Sequence, residues 1–542
     1  MISLENFNQN FDKIERWLLY LMIATFPITT LPKRYPLPAS MHNLPFAFLT
    51  VAILAAVVYF ASHRKLYPEM QKKAKIYLTI CVVWPLLCTV IGAVTFPYWD
   101  NTATAFVRET SLIQKIAGVY PAVLDNTTFL RLKYSNSLLL STIQGLLVPL
   151  LGIYFVVYVT FYHKTKEYLL DVISRGAVIG ACAMAVYSII EIPWILTGNS
   201  FCADLLKVIN VHLYDVETTH EWWPPILWKG QLRSLSQEPS FFGIISPFIL
   251  PLLWYRAFGL KEKMTVVILI LFTYMTYMTR ARTAQVILLG ELVILVILTL
   301  WGRYPEWGKK LTKILASTFC AFCLFFAVPI IVASFHEISS VENSSVNEDV
   351  YNYFQEDLFS AGTVSQRSNL ARIGNTVALI NTGIQNPVFG IGTGLESVFI
   401  AENMPDFAQE SGEVQHWISM LREEGFLQSR IPVFNTLAAV FARYGLMGLF
   451  LFVVPLFWVA VNALRWRKTI FHDYGAVCIL VIFVGQCATL LSNWFLLTYP
   501  LALAMAIYLV QKCNMDLRMK YKKWVCQEFC VNRFNKQHRI AA

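Results

Sequence analysis

Long apolar segments recur along nearly the whole chain and constrain its fold more than any other feature. Runs of about eighteen or more mostly apolar residues alternate with short basic connectors, and runs of that length match the thickness of a bilayer core. Hydrophobic residues make up 56% of the 542 residues, and charged residues only 14%. A soluble domain cannot bury so much apolar surface. The sequence therefore predicts an all-α polytopic membrane protein.

The apolar pattern predicts about twelve membrane-spanning helices. They lie near residues 16–32, 43–61, 76–95, 137–162, 169–197, 240–258, 264–280, 283–301, 312–335, 435–463, 472–491 and 493–511. The predicted organisation has four parts: a membrane domain of nine spans (1–335), a long loop with short helices (336–434), three last spans (435–511) and a basic tail (512–542). A loop as long as 336–434 is too long for an idle connector, which indicates a functional segment.

Lysine and arginine are concentrated in alternate connectors. If the N-terminus is cytoplasmic, every connector predicted on the inside is basic, as the positive-inside rule requires. These basic residues are Arg64, Lys65, Lys72, Lys73, Lys75, Lys164, Lys166, Arg256, Lys261, Lys263, Arg303, Lys309, Lys310, Lys313, Arg465, Arg467 and Lys468, with the tail. The pattern predicts cytoplasmic termini and an outward-facing long loop. It also explains the net charge of +10 without a nucleic-acid partner, since the charges fit contact with membrane lipids.

The cysteines predict neither a disulfide framework nor a metal site. Of eleven cysteines, only Cys202 falls in a predicted outer loop, so it has no exported partner for an intrachain bridge. Cys526 and Cys530 lie in the predicted cytoplasmic tail and lack a second pair at zinc-ligand spacing. We therefore expect no metal and no cofactor.

Arginine is unusually frequent in the predicted outer segments. The outer arginines are Arg233, Arg280, Arg282, Arg367, Arg372, Arg422, Arg430 and Arg443. A guanidinium binds phosphate oxygens in a bidentate manner and stays charged at any working pH. Each single arginine could instead extend to lipid headgroups. As a set they favour a pocket for a polyanion carried on a lipid.

Three further polar positions are candidates for a site, each with a plainer alternative. Glu238 precedes Pro239 and should cap a helix, but it could also hold Arg233 or a sugar hydroxyl at the membrane surface. Asn435 opens a predicted span, where helix entry alone would explain it. His416 is a candidate base or a surface histidine without a role.

Four segments, in this order, resemble the O-antigen ligase and polymerase superfamily, which includes the repeat-unit polysaccharide polymerases. The segments are Arg233 with Gln237-Glu238-Pro239-Ser240-Phe241, Thr279-Arg280-Ala281-Arg282-Thr283, Arg372 with Asn386-Pro387-Val388-Phe389-Gly390-Ile391-Gly392, and Asn435 with Tyr444-Gly445-Leu446-Met447-Gly448. The resemblance covers roughly residues 220–450. It implies a GT-C-like, metal-independent glycosyltransferase of the bacterial inner membrane, with its active site facing the periplasm. The implied substrate is an oligosaccharide linked to undecaprenyl diphosphate.

The resemblance also assigns roles by position. It implies that Arg280 or Arg282, together with Arg372, binds the lipid diphosphate that leaves, with Arg233 lining the same cavity. Arg367 and Asn435 are further candidates for binding the diphosphate or the glycan. Fixed guanidinium groups stabilise charge that develops on a leaving diphosphate more than they stabilise the ground state. Glu238 and His416 are the candidate bases, and neither assignment is decided by the sequence.

One departure from the family pattern bears on the reaction. Ligases of this superfamily carry His-Asn where this chain has Phe434-Asn435, and that histidine is their usual candidate base. Its absence favours a repeat-unit polymerase. A chain-length regulator is then a further expected partner. A ligase that delivers glycan to lipid A-core or to protein is the alternative. A lipid-linked oligosaccharide flippase is the alternative from another class, although the chain lacks the two-half symmetry typical of transporters.

Overall fold

The computed structural model describes residues 4–36, 39–99, 126–215, 224–228, 230–302, 305–337, 367–426 and 429–515. The described residues form helices and no strands, which confirms the all-helical fold class. Most of the predicted basic tail, with Cys526 and Cys530, lies outside these ranges, as does the first part of the long loop.

The helices of the first half run from the N-terminus to residue 215. They are α1 (Leu4–Ala24), α2 (Leu44–Ser62), α3 (Lys72–Thr95), α4 (Asn126–Thr142), α5 (Ile153–Phe161), α6 (Lys166–Thr197) and α7 (Ser200–Leu213). A π-helix, Ile143–Gly152, joins α4 to α5 without a break, and two short 3₁₀ turns cover Ala39–His42 and Arg64–Leu66. α1 ends at Ala24, earlier than the predicted span 16–32, because Pro27 follows within three residues and cannot continue a helix.

The second half continues the bundle and adds a small outer group of helices. Its helices are α8 (Pro239–Trp254), α9 (Lys263–Met278), α10 (Arg282–Gly302), α11 (Pro305–Glu337), α12 (Arg367–Gln385), α13 (Glu396–Glu402), α14 (Asp406–Gln409), α15 (Gly412–Glu424), α16 (Thr436–Arg465), α17 (Arg467–Ile470) and α18 (Tyr474–Thr489). A π-helical turn, Tyr255–Gly259, extends α8, and a last helix, α19, covers residues 498–515. α12 lies within the segment 336–434, which the sequence predicts to be a long loop with short helices.

Eight helices of the described chain are long and apolar enough to cross a membrane. They are Leu44–Ser62, Lys72–Thr95, Arg131–Phe161, Lys166–Thr197, Pro239–Gly259, Arg282–Leu300, Trp307–Val332 and Thr436–Arg465, and each overlaps a predicted span. Apolar side chains on α2 point away from the bundle, with Leu54 62% exposed and Val58 57% exposed. Such surfaces need lipid as their solvent. The chain is therefore a multi-pass membrane protein, and the count of twelve stays a prediction.

α8 is the central helix of the bundle. It contacts α6, α9, α10 and α18, and its side chains are buried on every side. A helix that is apolar all round belongs in the interior of a helical assembly. Pro239 occupies its first turn and Glu238 is its N-cap residue, as the sequence predicts, so Glu238 lies at one end of the most enclosed helix.

Helices α12 to α15 pack together on the start of α16 as an outer unit. A second small core joins them, with Ala378, Leu379, Val414 and Ala439 fully buried. Side chains of α12 also fix the approach to α16, since Asn375 donates to the carbonyl of Pro432 at 2.9 Å. The outer unit is thus anchored to a membrane helix along its length.

α16 is interrupted near its middle at Gly445. This glycine has φ 66° and ψ −169°, and a Cβ added there would lie 2.1 Å from the carbonyl oxygen of Val388. Positive φ costs an ordinary residue about 1–2 kcal/mol, and the close carbonyl leaves no room for any side chain. The glycine at this position is therefore a requirement of the fold.

The segment 387–394 fills the break in α16. Three backbone hydrogen bonds join them: Ile391 N to Ala442 O (2.9 Å), Gly392 N to Arg443 O (2.9 Å) and Leu446 N to Pro387 O (2.8 Å). The Trp84 indole of α3 donates to the carbonyl of Tyr444 at 2.9 Å. Backbone groups that the break would leave unpaired in a dry interior are satisfied in this way. Gly390 and Gly392 serve this close approach, since an added Cβ would lie 2.4 Å and 2.9 Å from backbone atoms of Arg443 and Thr89.

Candidate functional site

The start of α16 is docked onto the turn at residues 490–493, which precedes α19. Thr436 donates its backbone N–H to the carbonyl of Leu490 at 2.8 Å and its hydroxyl to the carbonyl of Asn493 at 2.6 Å. The Asn435 side chain caps α16 by accepting from Ala438 N at 3.0 Å, and its amide donates to the carbonyl of Leu491 at 3.3 Å. Capping satisfies one of the free N–H groups of a helix start. The turn is thereby held in a fixed position beside the outer unit.

Arg372 of α12 reaches the same turn. Its guanidinium donates to the carbonyl of Ser492 at 3.5 Å and lies over the Phe434 ring, 4.9 Å from the ring centre. The side chain is half-buried. The ring and the carbonyl hold one part of the guanidinium, and its remaining N–H groups are available for an anion in a partly desolvated place.

Glu413 lies close enough to Arg372 and to the Glu238 carboxylate to interact electrostatically with both. Burial raises the pKa of Glu413, the Arg372 guanidinium lowers it and the Glu238 carboxylate raises it, so that the pKa of Glu413 lies above its ordinary value. Glu413 is in the first turn of α15, and Glu238 caps α8. No direct ion pair joins Arg372 to Glu413 among the ion pairs of the described residues. Arg372 and Glu413 therefore influence each other electrostatically without direct contact between their charged groups.

Arg443 contacts the same 490–494 segment at Trp494, and it lies just before the break in α16. It is 8% exposed, forms a buried ion pair with Glu396 of α13, and lies 4.3 Å from the centre of the Trp494 ring. Burial raises the pKa of Glu396, but the Arg443 guanidinium and hydrogen bonds lower it further, with Arg430 adding to them, and the pKa ends below its ordinary value. This arginine is neutralised by the protein itself.

Arg280 and Arg282 lie in the tight turn between α9 and α10. Arg280 has φ 50°, and both side chains are half-buried. The turn packs on the first part of α8, where a Cβ added to Gly243 would lie 3.3 Å from the Ala281 Cβ. Since Glu238 caps the same end of α8, this turn and the Arg372 site both adjoin one helix start. A strained turn at a non-glycine residue is typical of a functional position.

Arg233 lies in different surroundings from the other predicted residues. Its guanidinium is 1% exposed, donates to the carbonyls of Pro225 (2.8 Å) and Ile226 (2.5 Å), and lies 4.4 Å from the centre of the Tyr214 ring. Its backbone N–H donates to Glu191 of α6 at 3.2 Å. These contacts fix the segment before α8, and none of them involves another member of the predicted arginine set.

Two predicted residues complete the placement. Arg367 begins α12, one and a half turns before Arg372, and its side chain is outside the described part of the structure. His416 is half-buried on α15, three residues after Glu413, so that both project from one face of the helix. The histidine therefore lies near the carboxylate, and both remain candidates for a proton acceptor.

Sequence reasoning missed Glu413 and Glu396. Acidic residues are common in exposed loops, so neither stands out without the fold. A weak signal was present at Glu413, because the sequence Ser411-Gly412-Glu413 before an apolar-periodic segment indicates a helix start with an acidic first turn. No group of three His, Cys, Asp or Glu side chains suited to a metal occurs within the described ranges, and metal independence stays a prediction.

Comparison with protein families gives a match in the second half of the chain. Residues 267–453 match a family model described as O-antigen ligase. The matched stretch contains Arg280, Arg282, Arg372, Asn435 and Arg443, with Glu396 and Glu413, and it begins after Glu238. No curated protein matches the chain.

Proposed function

We propose that the chain is a repeat-unit polysaccharide polymerase of the O-antigen ligase/polymerase superfamily, whose members act on lipid-linked glycans. The match over residues 267–453 to a family model described as O-antigen ligase supports this proposal. The protein transfers a growing glycan from undecaprenyl diphosphate onto the terminal sugar of another lipid-linked repeat unit at the periplasmic face of the inner membrane. The observation that carries the proposal is the half-buried Arg372, which interacts electrostatically with the Glu413 carboxylate without a direct ion pair between them.

Arg372 holds the leaving diphosphate in this proposal. As the bond between the anomeric carbon and the phosphate oxygen breaks, negative charge grows on the diphosphate. A guanidinium already oriented by the Phe434 ring and the Ser492 carbonyl does not have to reorganise at that moment. Arg280 and Arg282 supply further positive charge from the α9–α10 turn.

Glu413 accepts the proton of the acceptor hydroxyl. The hydroxyl oxygen forms the new bond to the anomeric carbon, its proton moves to the Glu413 carboxylate, and the lipid diphosphate departs with the electron pair of the broken bond. A carboxylate whose pKa lies above its ordinary value is a better base near neutral pH than an ordinary carboxylate. Burial keeps that pKa high, and the like charge of Glu238 adds to the effect. His416 is the alternative base on the same helix.

The proposal is tested by the surface glycan of cells in which the chromosomal gene is replaced by a variant. We expect Arg372→Lys to lower polymerisation by about 10²-fold, because an ammonium keeps the charge but loses the planar fork. The cells would then show a single repeat unit on the lipid core. Arg175→Lys is the matched control, since Arg175 is an exposed arginine of α6 that pairs with Asp171 at 3.0 Å.

Other glycan patterns would contradict the proposal in distinct ways. Bare core with long lipid-linked chains would indicate a ligase, which is the activity named in the description of the matching family model. Unextended lipid-linked units trapped on the cytoplasmic side would indicate a flippase. Normal chains at normal abundance in the Arg372→Lys strain would remove the diphosphate role of Arg372.

A further inference from the structure

A cavity of about 240 Å³ opens between the end of α1, the start of α2, the π-helix and the segment 494–497. The segment 494–497 directly follows the turn that Arg372 contacts, and we call the surroundings of Arg372 the arginine site. Its aromatic walls come from Phe26, Phe46, Trp494 and Phe495. The volume is below the roughly 300–1,000 Å³ of clefts for drug-sized ligands, so the cavity suits a smaller body such as one sugar ring. None of its lining residues takes part in the proposed transfer step.

Polar groups in the cavity wall lack partners. The Thr29 hydroxyl is buried and has no hydrogen-bond partner within the described ranges. The side-chain amide of Gln144 also lines the cavity, and no hydrogen bond of this amide occurs in the part of the chain that the structure describes. A buried hydroxyl without a partner costs about 1–3 kcal/mol. An isoprenoid or acyl chain cannot satisfy these groups, whereas sugar hydroxyls can.

The wall on the α4–α5 side is a π-helix, Ile143–Gly152. π-Helical turns are rare and occur frequently at functional sites. Gly145 lies in this wall, and a Cβ added to it would meet nothing within 4 Å. The absence of a side chain at this position therefore keeps space open rather than allowing two backbones to approach.

Trp494 joins the cavity to the arginine site. It lines the cavity and lies 4.3 Å from the Arg443 guanidinium, and the carbonyl of Ser492, two residues earlier, accepts from Arg372. One short segment, 492–494, therefore lines the cavity and also contacts Arg372, the residue proposed to hold the diphosphate. Aromatic faces suit the apolar face of a pyranose, while Thr29 and Gln144 suit its hydroxyl groups.

We propose that this cavity is a saccharide subsite that binds one sugar ring of the lipid-linked glycan. The inference rests on the proposed function, since it assumes a glycan substrate. It assigns Thr29 and Gln144 as hydrogen-bonding residues and Trp494 as the wall shared with the arginine site.

Filling the cavity tests its use. Gly145→Phe should lower the rate of transfer at least tenfold with purified protein and lipid-linked repeat units extracted from the expressing cells, while the melting temperature in detergent stays unchanged. Gly290→Phe is the matched control, because Gly290 lies in α10 and also has nothing within 4 Å of an added Cβ. Equal rates in both variants would overturn the proposal.

Removal of one hydroxyl tests the chemistry. Thr29→Val should raise the KM for the same lipid-linked units by about two- to tenfold and leave kcat nearly unchanged, which corresponds to the loss of one hydrogen bond. Thr29→Ser should restore the KM of the unaltered protein. A KM unaffected by Thr29→Val would contradict a hydrogen bond to the glycan.

Crosslinking identifies the occupant directly. Leu496 also lines the cavity, and photoleucine at this position preserves its shape. Illumination with the extracted lipid-linked units should give an adduct on a sugar carbon, located by mass spectrometry. An adduct on the isoprenoid chain or on a phospholipid would overturn the subsite. If these experiments exclude the saccharide subsite but Arg372→Lys still lowers transfer as expected, the proposed function stands without the subsite.

Discussion

Two regions packed on α16 contact the 490–494 segment, and each uses an arginine in a different way. At the break, Arg443 is buried, paired with Glu396 and surrounded by backbone groups that are hydrogen-bonded to segment 387–394. At the helix start, Arg372 is half-buried and shares its surroundings with Glu413, with no direct ion pair between them. The two regions are joined by Ser492 and Trp494, which contact one arginine each.

The comparison teaches that the residue type does not reveal the role of an outer arginine. A buried guanidinium that the protein already neutralises contributes to folding and has little to offer a ligand. A guanidinium that keeps N–H groups free at a partly buried place can bind an anion strongly. We call the surroundings of Arg443 and Glu396 the closed region and those of Arg372 and Glu413 the open region. Substitutions in the closed region should lower stability, and substitutions in the open region should lower activity.

The largest effect is expected at the break. Gly445→Ala should abolish accumulation of folded protein, because the new Cβ would lie 2.1 Å from the Val388 carbonyl oxygen at a backbone with φ 66°. The measurement is the monodisperse fraction after detergent extraction and size-exclusion chromatography. Gly290→Ala is the control, since its Cβ meets nothing within 4 Å. A well-folded Gly445→Ala protein would mean that the closed region tolerates rearrangement.

The pH dependence of transfer tests whether Glu413 is the base in the open region. If Glu413 is the base, activity rises with pH through the pKa of Glu413, which lies above the ordinary 4.5. Glu413→Gln should lower the rate by about 10²–10⁴-fold. Glu238→Gln removes a like charge, so the pKa of Glu413 falls and the acidic limb of the rate profile moves to lower pH.

Histidine 416 provides the contrary outcome for that experiment. His416→Gln should leave the acidic limb in place if Glu413 is the base. Disappearance of the limb in His416→Gln, together with a rate within a few-fold of normal in Glu413→Gln, would transfer the role of the base to His416.

The buried ion pair gives the next effect. Arg443→Met should destabilise the protein by about 3–5 kcal/mol, because it leaves the buried Glu396 carboxylate without its partner. The double variant Arg443→Met with Glu396→Leu should recover most of that loss, as measured by thermal unfolding in detergent. A double variant with normal stability but no transfer would assign Arg443 a role in substrate binding beyond the fold.

Much of the fold was accessible from the sequence because membrane helices carry a strong local signal. The apolar runs and the helix start at Glu238-Pro239 depend on neighbouring residues alone, and the structure confirms both, with Glu238 at the N-cap position but without a side-chain capping hydrogen bond. The bounds of α1 were less predictable, because its apolar run continues past the point where Pro27 ends the helix.

The site was less accessible because its members come from distant parts of the chain. Arg372 and Glu413 are on different helices, and Glu238 caps a third one, so that no local pattern links them. Arg233 shows the converse: its sequence surroundings resemble those of a ligand-binding arginine, but partners such as Tyr214 and Glu191 that enclose it come from other helices or their ends. Only tertiary packing separates an enclosed arginine from an available one.

The smallest effect is expected at Asn435, which stands between the two regions. Asn435→Ala should lower stability by about 1 kcal/mol through loss of the cap on Ala438 N. Asn435→Asp keeps an acceptor for that N–H and loses only the amide donor to the Leu491 carbonyl, so its melting temperature should stay closer to that of the unaltered protein. Because the second variant keeps the cap, it tests the predicted role of Asn435 in binding substrate on its own. A large loss of transfer at normal stability in Asn435→Asp would place the amide in the open region, whereas normal transfer would place it with the residues that build the turn.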